Sequence, residues 1–235
     1  MTLKQVLFAV VSAGLALSVG AGPKFVALGW EFAKCGPKEL IANADKLDRT
    51  ALDGVAVLGT FRDAQGNACD ARSVMETGPW TKESAKEMLP YLRQFKDHPS
   101  LRHSLLSSFR HPTKRIAWTD DAGWARVASN MRLLAALARA AGVLGLYADE
   151  EDYAKQRQFV VTAADRGTYD ELAALARRRG AETFRGVFEA YPTVRVLFLR
   201  LLTSGHGFWS AYYAAPDPLA EARRRSDLWP SFVNG

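Results

Sequence analysis

One repeated pattern constrains the fold of this chain more than any other feature: a short apolar run, a loop, and then a segment with apolar residues at helical spacing. The runs do not alternate between apolar and polar residues, which is typical of strands covered on both faces, as in parallel sheets. Strands that alternate with helices favour right-handed βαβ units in one parallel sheet. We therefore predict an α/β fold with strands near 25–30, 54–61, 104–109, 143–148, 194–202 and, just starting, 228–233.

The segments between these runs carry helix start and stop signals. Helices are predicted near 37–47, 81–95, 121–142 and 168–191. Thr81 is a candidate N-cap, and Asp121 is predicted to cap a helix that begins at Ala122. Gly142 is predicted to end that helix as a C′ glycine.

The architecture that fits this order is a (β/α)₈ barrel of the TIM type, which usually takes about 250 residues. Residues 22–235 contain only about five to six βα units, so we predict an incomplete barrel. Either the sequence is part of a longer barrel or the sheet is open. The first explanation is favoured, because helical periodicity and caps are complete elsewhere and only the end at Gly235 is abrupt.

The first 21 residues are predicted to be a secretory signal peptide. Lys4 is followed by an apolar stretch from Val6 to Val19, and small residues precede a cleavage point after Ala21. A membrane anchor is the alternative, but the stretch is shorter than the roughly 20 residues that span a bilayer. The mature protein is therefore expected to be secreted or periplasmic, without stable insertion in a membrane.

Charge and motif content argue against several function classes. The chain has 31 Lys and Arg residues against 25 Asp and Glu, and loss of Lys4 with the signal lowers the net charge from +6 to about +5. The surplus lies in helix-like segments such as 177–179 and 223–225, without an aromatic platform or a glycine-rich or zinc-type signature. Nucleic acid is not an expected partner, and neither a cofactor nor a metal site is predicted.

The two cysteines, Cys35 and Cys69, follow the first two predicted strands. In an oxidising compartment they are permitted to pair, so a disulfide and two separate thiols are both open. Their separation is too large for a zinc knuckle.

Active sites of parallel α/β folds lie where the strands deliver their carboxyl ends. Polar and aromatic residues follow each predicted strand at this point. They are Trp30 and Glu31, Arg62 and Asp63, Arg110 and His111, Asp149 to Glu151, and the loop 203–209 with His206 and Trp209.

The acidic cluster after the fourth strand is the most informative of these sets. Side chains at i and i+2 of a strand share a face, so Asp149 and Glu151 point the same way and Glu150 is expected to face away. Two adjacent carboxylates repel, which raises the pKa of one and lets it act as a general acid. The alternative is a solvated acidic loop.

Glu31 is a second candidate carboxylate, because it ends an apolar first strand at the mouth of the barrel. Its alternative role is an ion pair with Arg62 or Arg110. Four tryptophans, Trp30, Trp80, Trp118 and Trp209, fall in or beside the predicted loops, where flat rings stack on sugars. Trp124 lies on a helix stripe and is predicted to pack in the core.

A rival interpretation starts from Asp120 and Asp121 with His98 and His103, which superficially resemble the metal site of polysaccharide deacetylases. In that family the Asp-Asp motif precedes a His-x-x-x-His, whereas here the histidines come first with four residues between them. A helix cap is the simpler explanation of Asp121.

Several motifs resemble those of secreted bacterial barrels classed as glycoside hydrolases. They are ALGWE at 27–31, LDGV at 52–55, WTDD at 118–121 with Trp124 and Asn130, the segment 145–153, and LWPSFVNG at 228–235. In that family the fourth strand commonly ends in Asp-x-Glu-x-Tyr, which Asp149, Glu151 and Tyr153 match. The resemblance implies a TIM barrel with a carbohydrate ligand. A fainter similarity to chitinase-like proteins is weakened, because Gly145 and Tyr147 replace the earlier aspartates of their signature.

These observations lead to a functional hypothesis, a secreted glycoside hydrolase. Glu151 is the general acid, Asp149 tunes or orients it, and Glu31 holds substrate hydroxyls or serves as the partner carboxylate. The candidate substrate-binding residues are Trp30, Arg110, Tyr153, His206 and Trp209. The alternative is a non-catalytic carbohydrate-binding protein on a degenerate or truncated barrel.

Overall fold

The computed structural model describes residues 24–28, 32–109, 112, 114–150, 157–199, 212 and 214–235. The predicted signal peptide, residues 1–21, lies outside them. Within these described ranges, no helix is long and apolar enough to cross a bilayer.

Strands and helices alternate along most of the described chain. The strands are β1 (Val26–Ala27), β2 (Gly54–Val57), β3 (Thr60–Arg62), β4 (Ala68–Asp70), β5 (Leu105–Ser108), β6 (Gly145–Ala148) and β7 (Arg195–Phe198). The α-helices are α1 (Pro37–Ala42), α2 (Ala44–Leu47), α3 (Lys82–Leu92), α4 (Asp121–Ala141), α5 (Tyr169–Ala190), α6 (Pro218–Arg224) and α7 (Trp229–Val233). Short 3₁₀ turns lie at Phe32–Lys34, Ala71–Ser73, Arg93–Asp97 and Pro99–Leu101.

Five of the strands, β1, β2, β5, β6 and β7, form one parallel sheet in which they lie side by side in chain order. The predicted parallel α/β fold is therefore confirmed. The sheet curls into a half-barrel. Because the order never reverses, right-handed crossovers place all the connecting helices on the same face of the sheet. This is the convex face.

Alternate residues of the strands belong to two separate apolar clusters. Val55, Leu106 and Leu146 face the helices and join the main core, whereas Ala56 and Tyr147 belong to a small cluster on the other, concave face. Gly145 fits between the strands because a Cβ there would overlap the carbonyl oxygen of Arg195. The nearly unbroken apolar runs are thus explained by burial on both faces.

The long helices are capped largely as predicted. The side chain of Thr81 accepts a hydrogen bond from the amide of Ser84 and caps α3. Gly142 has a φ of 73° and ends α4 in the left-handed conformation. The predicted cap at Asp121 is wrong by one residue, because Asp120 accepts from the amide of Gly123 and the helix already begins at Asp121.

The second apolar run does not form one strand. β2 ends at Val57, and the continuation turns away as β3, which pairs with β4 in an antiparallel hairpin outside the parallel sheet. The amide of Ala71 donates to the carbonyl of Gly59, and the ring of Phe61 stacks on Trp80 at a centroid distance of 4.2 Å. The apolar residues after Val57 are therefore buried against the hairpin and its flanking helix.

The sixth strand predicted at 228–233 is wrong, because this segment is the short helix α7. Pro230 lies in its first turn, where a missing N–H costs nothing. The amide of Trp229 donates to Asp227 at 2.9 Å, and Trp229 and Phe232, three residues apart, are both fully buried. The spacing of three residues between Trp229 and Phe232 places both rings on one side of a helix, whereas in a strand they would point to opposite faces.

Two further expectations are resolved within the described residues. Cys35 and Cys69 are not joined by a disulfide, and burial raises the pKa of the Cys69 thiol.

Trp124 has no exposed surface and packs in the core as predicted. β1 and β7 are shorter than their predicted runs, of which residues 29–30 and 200–202 lie outside the described chain.

The contact between α5 and α7 gives a test of this packing. A methyl group at Gly180 would overlap the carbonyl oxygen of Phe232, whereas one at Gly186 of the same helix would make ordinary contacts, 3.4 Å from Arg132 Cβ and 3.7 Å from the carbonyl oxygen of Ala128. Gly180→Ala should lower the free energy of unfolding by about 1–3 kcal/mol, and Gly186→Ala should raise it by up to about 1 kcal/mol. Urea unfolding of both variants measures this, and stabilisation by Gly180→Ala would contradict the α5–α7 packing.

Candidate functional site

The candidate site is built around Asp149, the first residue after β6. Its amide donates to the carbonyl of Ser108 at 3.1 Å, and the amide of Leu199 donates to Ala148 at 2.9 Å. The parallel ladder therefore continues one residue beyond β6 and β7. Because side chains alternate along an extended chain, Asp149 lies on the same concave face as Tyr147.

The two described acids of the cluster differ in burial. Asp149 is half-buried, while Glu150 keeps only 2% of its surface exposed. Alternation puts Glu150 on the helix-covered face, the orientation that the sequence analysis expected. Glu150 itself is therefore not solvated, and a buried acid is retained only where its surroundings compensate it.

Most of the predicted site residues lie outside the described chain. These are Glu31 and Glu151 of the candidate carboxylates, and Trp30, Arg110, Tyr153, His206 and Trp209 of the candidate binding residues. Asp149 is the member of the predicted set that the structure describes. The geometry of the proposed acid pair therefore stays a prediction.

The structure adds a row of residues beside Asp149 that the sequence analysis did not select. Ser107 of β5, Tyr147 of β6 and Leu197 of β7 are direct neighbours across the ladder and share the concave face. Ser107 is fully buried, Tyr147 is 3% exposed and Leu197 is 42% exposed. Ser107 is reached from Asp149 by stepping back two residues to Tyr147 and then across the ladder to β5, and the second step needs a strand register that the sequence alone does not give.

A buried ion pair connects the loop after β5 to the loop after β6. The guanidinium of Arg115 contacts the Asp165 carboxylate at 3.0 Å and also donates to the hydroxyl of Thr162. Asp165 in turn accepts from the amide of Thr162 at 2.7 Å. The pair is mostly buried, so each charge depends on the other for compensation.

Gln158 makes a second connection between the same two loops. It is fully buried, and its amide group pairs with the backbone of Ile116 in both directions: Ile116 N donates to Oε1 at 2.8 Å and Nε2 donates to Ile116 O at 3.0 Å. The segment preceding α4 is thereby held against the segment that follows the acidic cluster.

The chain segment before α7 is attached to the same loop. The hydroxyl of Tyr212 donates to the buried carboxylate of Asp227 at 2.8 Å, and Leu228 N donates to the carbonyl of Phe159 at 2.6 Å. Tyr169 of α5 donates its hydroxyl to the carbonyl of Asp227 at 2.9 Å. Described parts of the segments after β5, β6 and β7 are therefore held together at the carboxyl end of the sheet.

Two of the tryptophans proposed to stack on sugars are core residues instead. Trp80 is 7% exposed and stacks on Phe61, and Trp118 is 2% exposed and stacks on Trp124 at 5.0 Å. Trp118 also packs near Phe159, within an aromatic cluster that continues to α7. That part of the prediction is wrong, because position in a loop did not imply exposure.

The residues of the rival metal interpretation have other partners. Asp120 caps α4, and a hydrogen bond from Arg179 lowers the pKa of Asp121. His98 Nδ1 lies 2.9 Å from the Asp48 carboxylate. Among the described residues, no three His, Cys, Asp or Glu side chains are grouped so that they could hold a metal ion.

The strand-end residues of β3 also have structural partners. Arg62 forms an exposed ion pair with Glu87. Asp63 closes the hairpin turn by accepting from the amides of Gln65 and Asn67. Neither side chain is directed into the parallel sheet, because the hairpin turns away before both residues.

A groove of about 460 Å³ lies on the helix-covered side of β7. Phe184 and Phe188 of α5, Val196 and Phe198 of β7 and the end of α7 line it. On the concave side of the same strand, Leu197 and Leu199 are 42% and 43% exposed. β7 therefore presents apolar surface on both of its faces.

Comparisons with known proteins do not identify a relative. The chain matches no protein-family model, and neither a curated protein nor a solved structure is significantly similar to it.

The role of Gln158 can be tested by its removal. Gln158→Ala leaves the buried amide and carbonyl of Ile116 without their partners and should lower the free energy of unfolding by about 2–4 kcal/mol. Gln94→Ala is the matched control, because that exposed side chain makes one bond to the Pro90 carbonyl and its loss should cost less than about 0.5 kcal/mol. If urea unfolding shows that Gln158→Ala and Gln94→Ala lose equal amounts of unfolding free energy, Gln158 does not hold the two loops together.

Proposed function

We propose that this chain is a glycoside hydrolase-like barrel protein that acts on an oligo- or polysaccharide. The observation that carries the proposal is the position of Asp149: it follows a buried parallel strand, on the concave face, at the carboxyl end of the sheet. In (β/α)₈ barrels this is the end at which catalytic residues gather. The motif resemblance to secreted bacterial hydrolases supports the same assignment.

The barrel assignment goes beyond the half-barrel itself and is part of the proposal. Five parallel strands in unbroken chain order are the arrangement found in a (β/α)₈ barrel, whereas doubly wound sheets reverse their order at a switch point. The apolar groove beside β7 and the exposed Leu197 and Leu199 support it as well. In a barrel, a further strand and helix cover these surfaces.

The proposed chemistry is acid/base cleavage of a glycosidic bond. Glu151 protonates the leaving oxygen, Asp149 tunes or orients Glu151, and Glu31 holds substrate hydroxyls or serves as the second carboxylate. Trp30, Arg110, Tyr153, His206 and Trp209 are the proposed sugar-binding residues. The reaction needs water and two carboxyl groups, and it needs no cofactor.

Export is the second part of the proposal, since polysaccharide substrates lie outside the cell. Expression in a bacterial host should give a mature protein that begins at Gly22 in the periplasm or medium. Mass spectrometry of the exported protein measures this directly. An exported chain that still carries Lys4 would contradict cleavage after Ala21.

The catalytic hypothesis is tested by hydrolysis of a panel of plant and bacterial polysaccharides. Glu151→Gln keeps the size of the side chain but removes the transferable proton, so the rate should fall about 10²- to 10⁴-fold. Asp152→Asn removes an equal charge one residue away and should leave the rate near that of the wild type. Equal hydrolysis rates for the wild type and Glu151→Gln would show that Glu151 is not the general acid.

The same assay identifies the alternative function. A wild-type protein that binds glycans but releases no sugar from any of them is a non-catalytic carbohydrate-binding protein. In that case Trp30→Ala and Trp209→Ala should abolish binding, because the stacked ring supplies most of the contact with a sugar face.

A further inference from the structure

Ser107 is a buried hydroxyl without an apparent structural role. It has no exposed surface, and its Oγ has no hydrogen-bond partner within the part of the chain that the structure describes. The next residue, Ser108, is equally buried but donates its hydroxyl to the carbonyl of Tyr147 at 3.1 Å. Of two adjacent, fully buried serines of one strand, Ser108 therefore has a hydrogen-bond partner for its hydroxyl and Ser107 has none among the described residues.

The situation of Ser107 is energetically unfavourable for the fold. Burying a hydroxyl without a partner costs free energy that an alanine at the same position would avoid. Native proteins rarely leave such groups, and those that remain call for a partner outside the polypeptide or for a functional role. On this face, the neighbours of Ser107 offer the outline of a ligand site.

These neighbours combine an apolar surface with one carboxylate. Tyr147 lies directly opposite Ser107 on the ladder, followed by the partly exposed Leu197. Asp149, the first residue after β6, follows Tyr147 on the same face, nearer the carboxyl end of the sheet. A sugar ring has a complementary surface, since its C–H face packs on apolar groups and its hydroxyls take hydrogen bonds.

We propose that the Ser107 hydroxyl is a ligand-binding group of the candidate site and exchanges a hydrogen bond with a hydroxyl of a neutral sugar. The apolar face of that sugar rests on Tyr147 and Leu197. The sugar is neutral, because the row that contacts it, Ser107, Tyr147 and Leu197, consists of uncharged side chains. Ser107 has no exposed surface and Tyr147 is 3% exposed, so binding requires both to become accessible, and the sugar rests on the Tyr147 ring after that ring has turned. This inference rests on the proposed function and names its substrate class.

The adjacent serines make a matched pair for the test. Ser107→Ala and Ser108→Ala delete the same atom from neighbouring, fully buried positions on opposite faces of β5. Each variant of the full chain is measured for thermal unfolding and, by calorimetry, for binding of cellotetraose, xylotetraose, chitotetraose and tetragalacturonate. Hydrolysis of the same four probes is followed in parallel.

The two variants should show opposite behaviour. Ser107→Ala should keep or raise the melting temperature and weaken binding of the best neutral probe about fivefold to tenfold, the value of one hydrogen bond. Ser108→Ala should lower the melting temperature by about 2–4 °C and leave binding unchanged.

Several results would overturn the inference. Unchanged affinity in Ser107→Ala excludes contact with the ligand, and a melting temperature as low as that of Ser108→Ala means that the hydroxyl holds an internal water or another structural partner. Binding of tetragalacturonate alone refutes a neutral ligand. If the wild type binds but does not hydrolyse, the hydrolase proposal fails while the role of Ser107 stands; if it binds no probe, both fail.

Discussion

The parallel pairing of β2, β5, β6 and β7 is the constraint on which the rest of the structure depends. A parallel strand reaches its neighbour only through a crossover, and the crossovers here leave the sheet on the same side because the strand order never reverses. One face of β2, β5 and β6 is therefore buried beneath the helices, and the other face lines a concavity. The loops at the carboxyl ends are brought together by this topology and then fastened by Arg115, Gln158 and Asp227.

Much of the fold followed from the sequence because its signals are local. Unbroken apolar runs, Thr81 as a cap and Gly142 as a stop are properties of a few consecutive residues, and each was found where it was predicted. The errors arose where distant contacts decide the local structure. Residues 228–233 contain aromatic and β-branched residues that suit a strand, but Pro230 and the Asp227 carboxylate start a helix, which buries its rings against α5.

The residues of the candidate site were also predictable only where the signal is local. Asp149 was found because the end of an apolar run marks the carboxyl end of a strand. Ser107 was not selected, because a serine inside an apolar run looks like an ordinary core residue until the ladder places it opposite Tyr147. The hydrogen bonds between Gln158 and Ile116 join residues 42 positions apart in the sequence, and no sequence motif indicates them. Trp80 and Trp118 show the limit of reasoning from loop position, since their burial depends on Phe61, Trp124 and Phe159.

The alternation of side chains along β5 and β6 has a consequence for how this protein can change over time. Val55, Leu106 and Leu146 carry the packing against the helices, so replacements there are filtered by whether the chain still folds. On the opposite face Leu197 is 42% exposed and Asp149 is half-buried, so replacements at these two positions cost less stability than replacements in the buried row. Residues on the two faces can therefore be substituted at different rates during evolution, and ligand preference can change among proteins that keep the same fold.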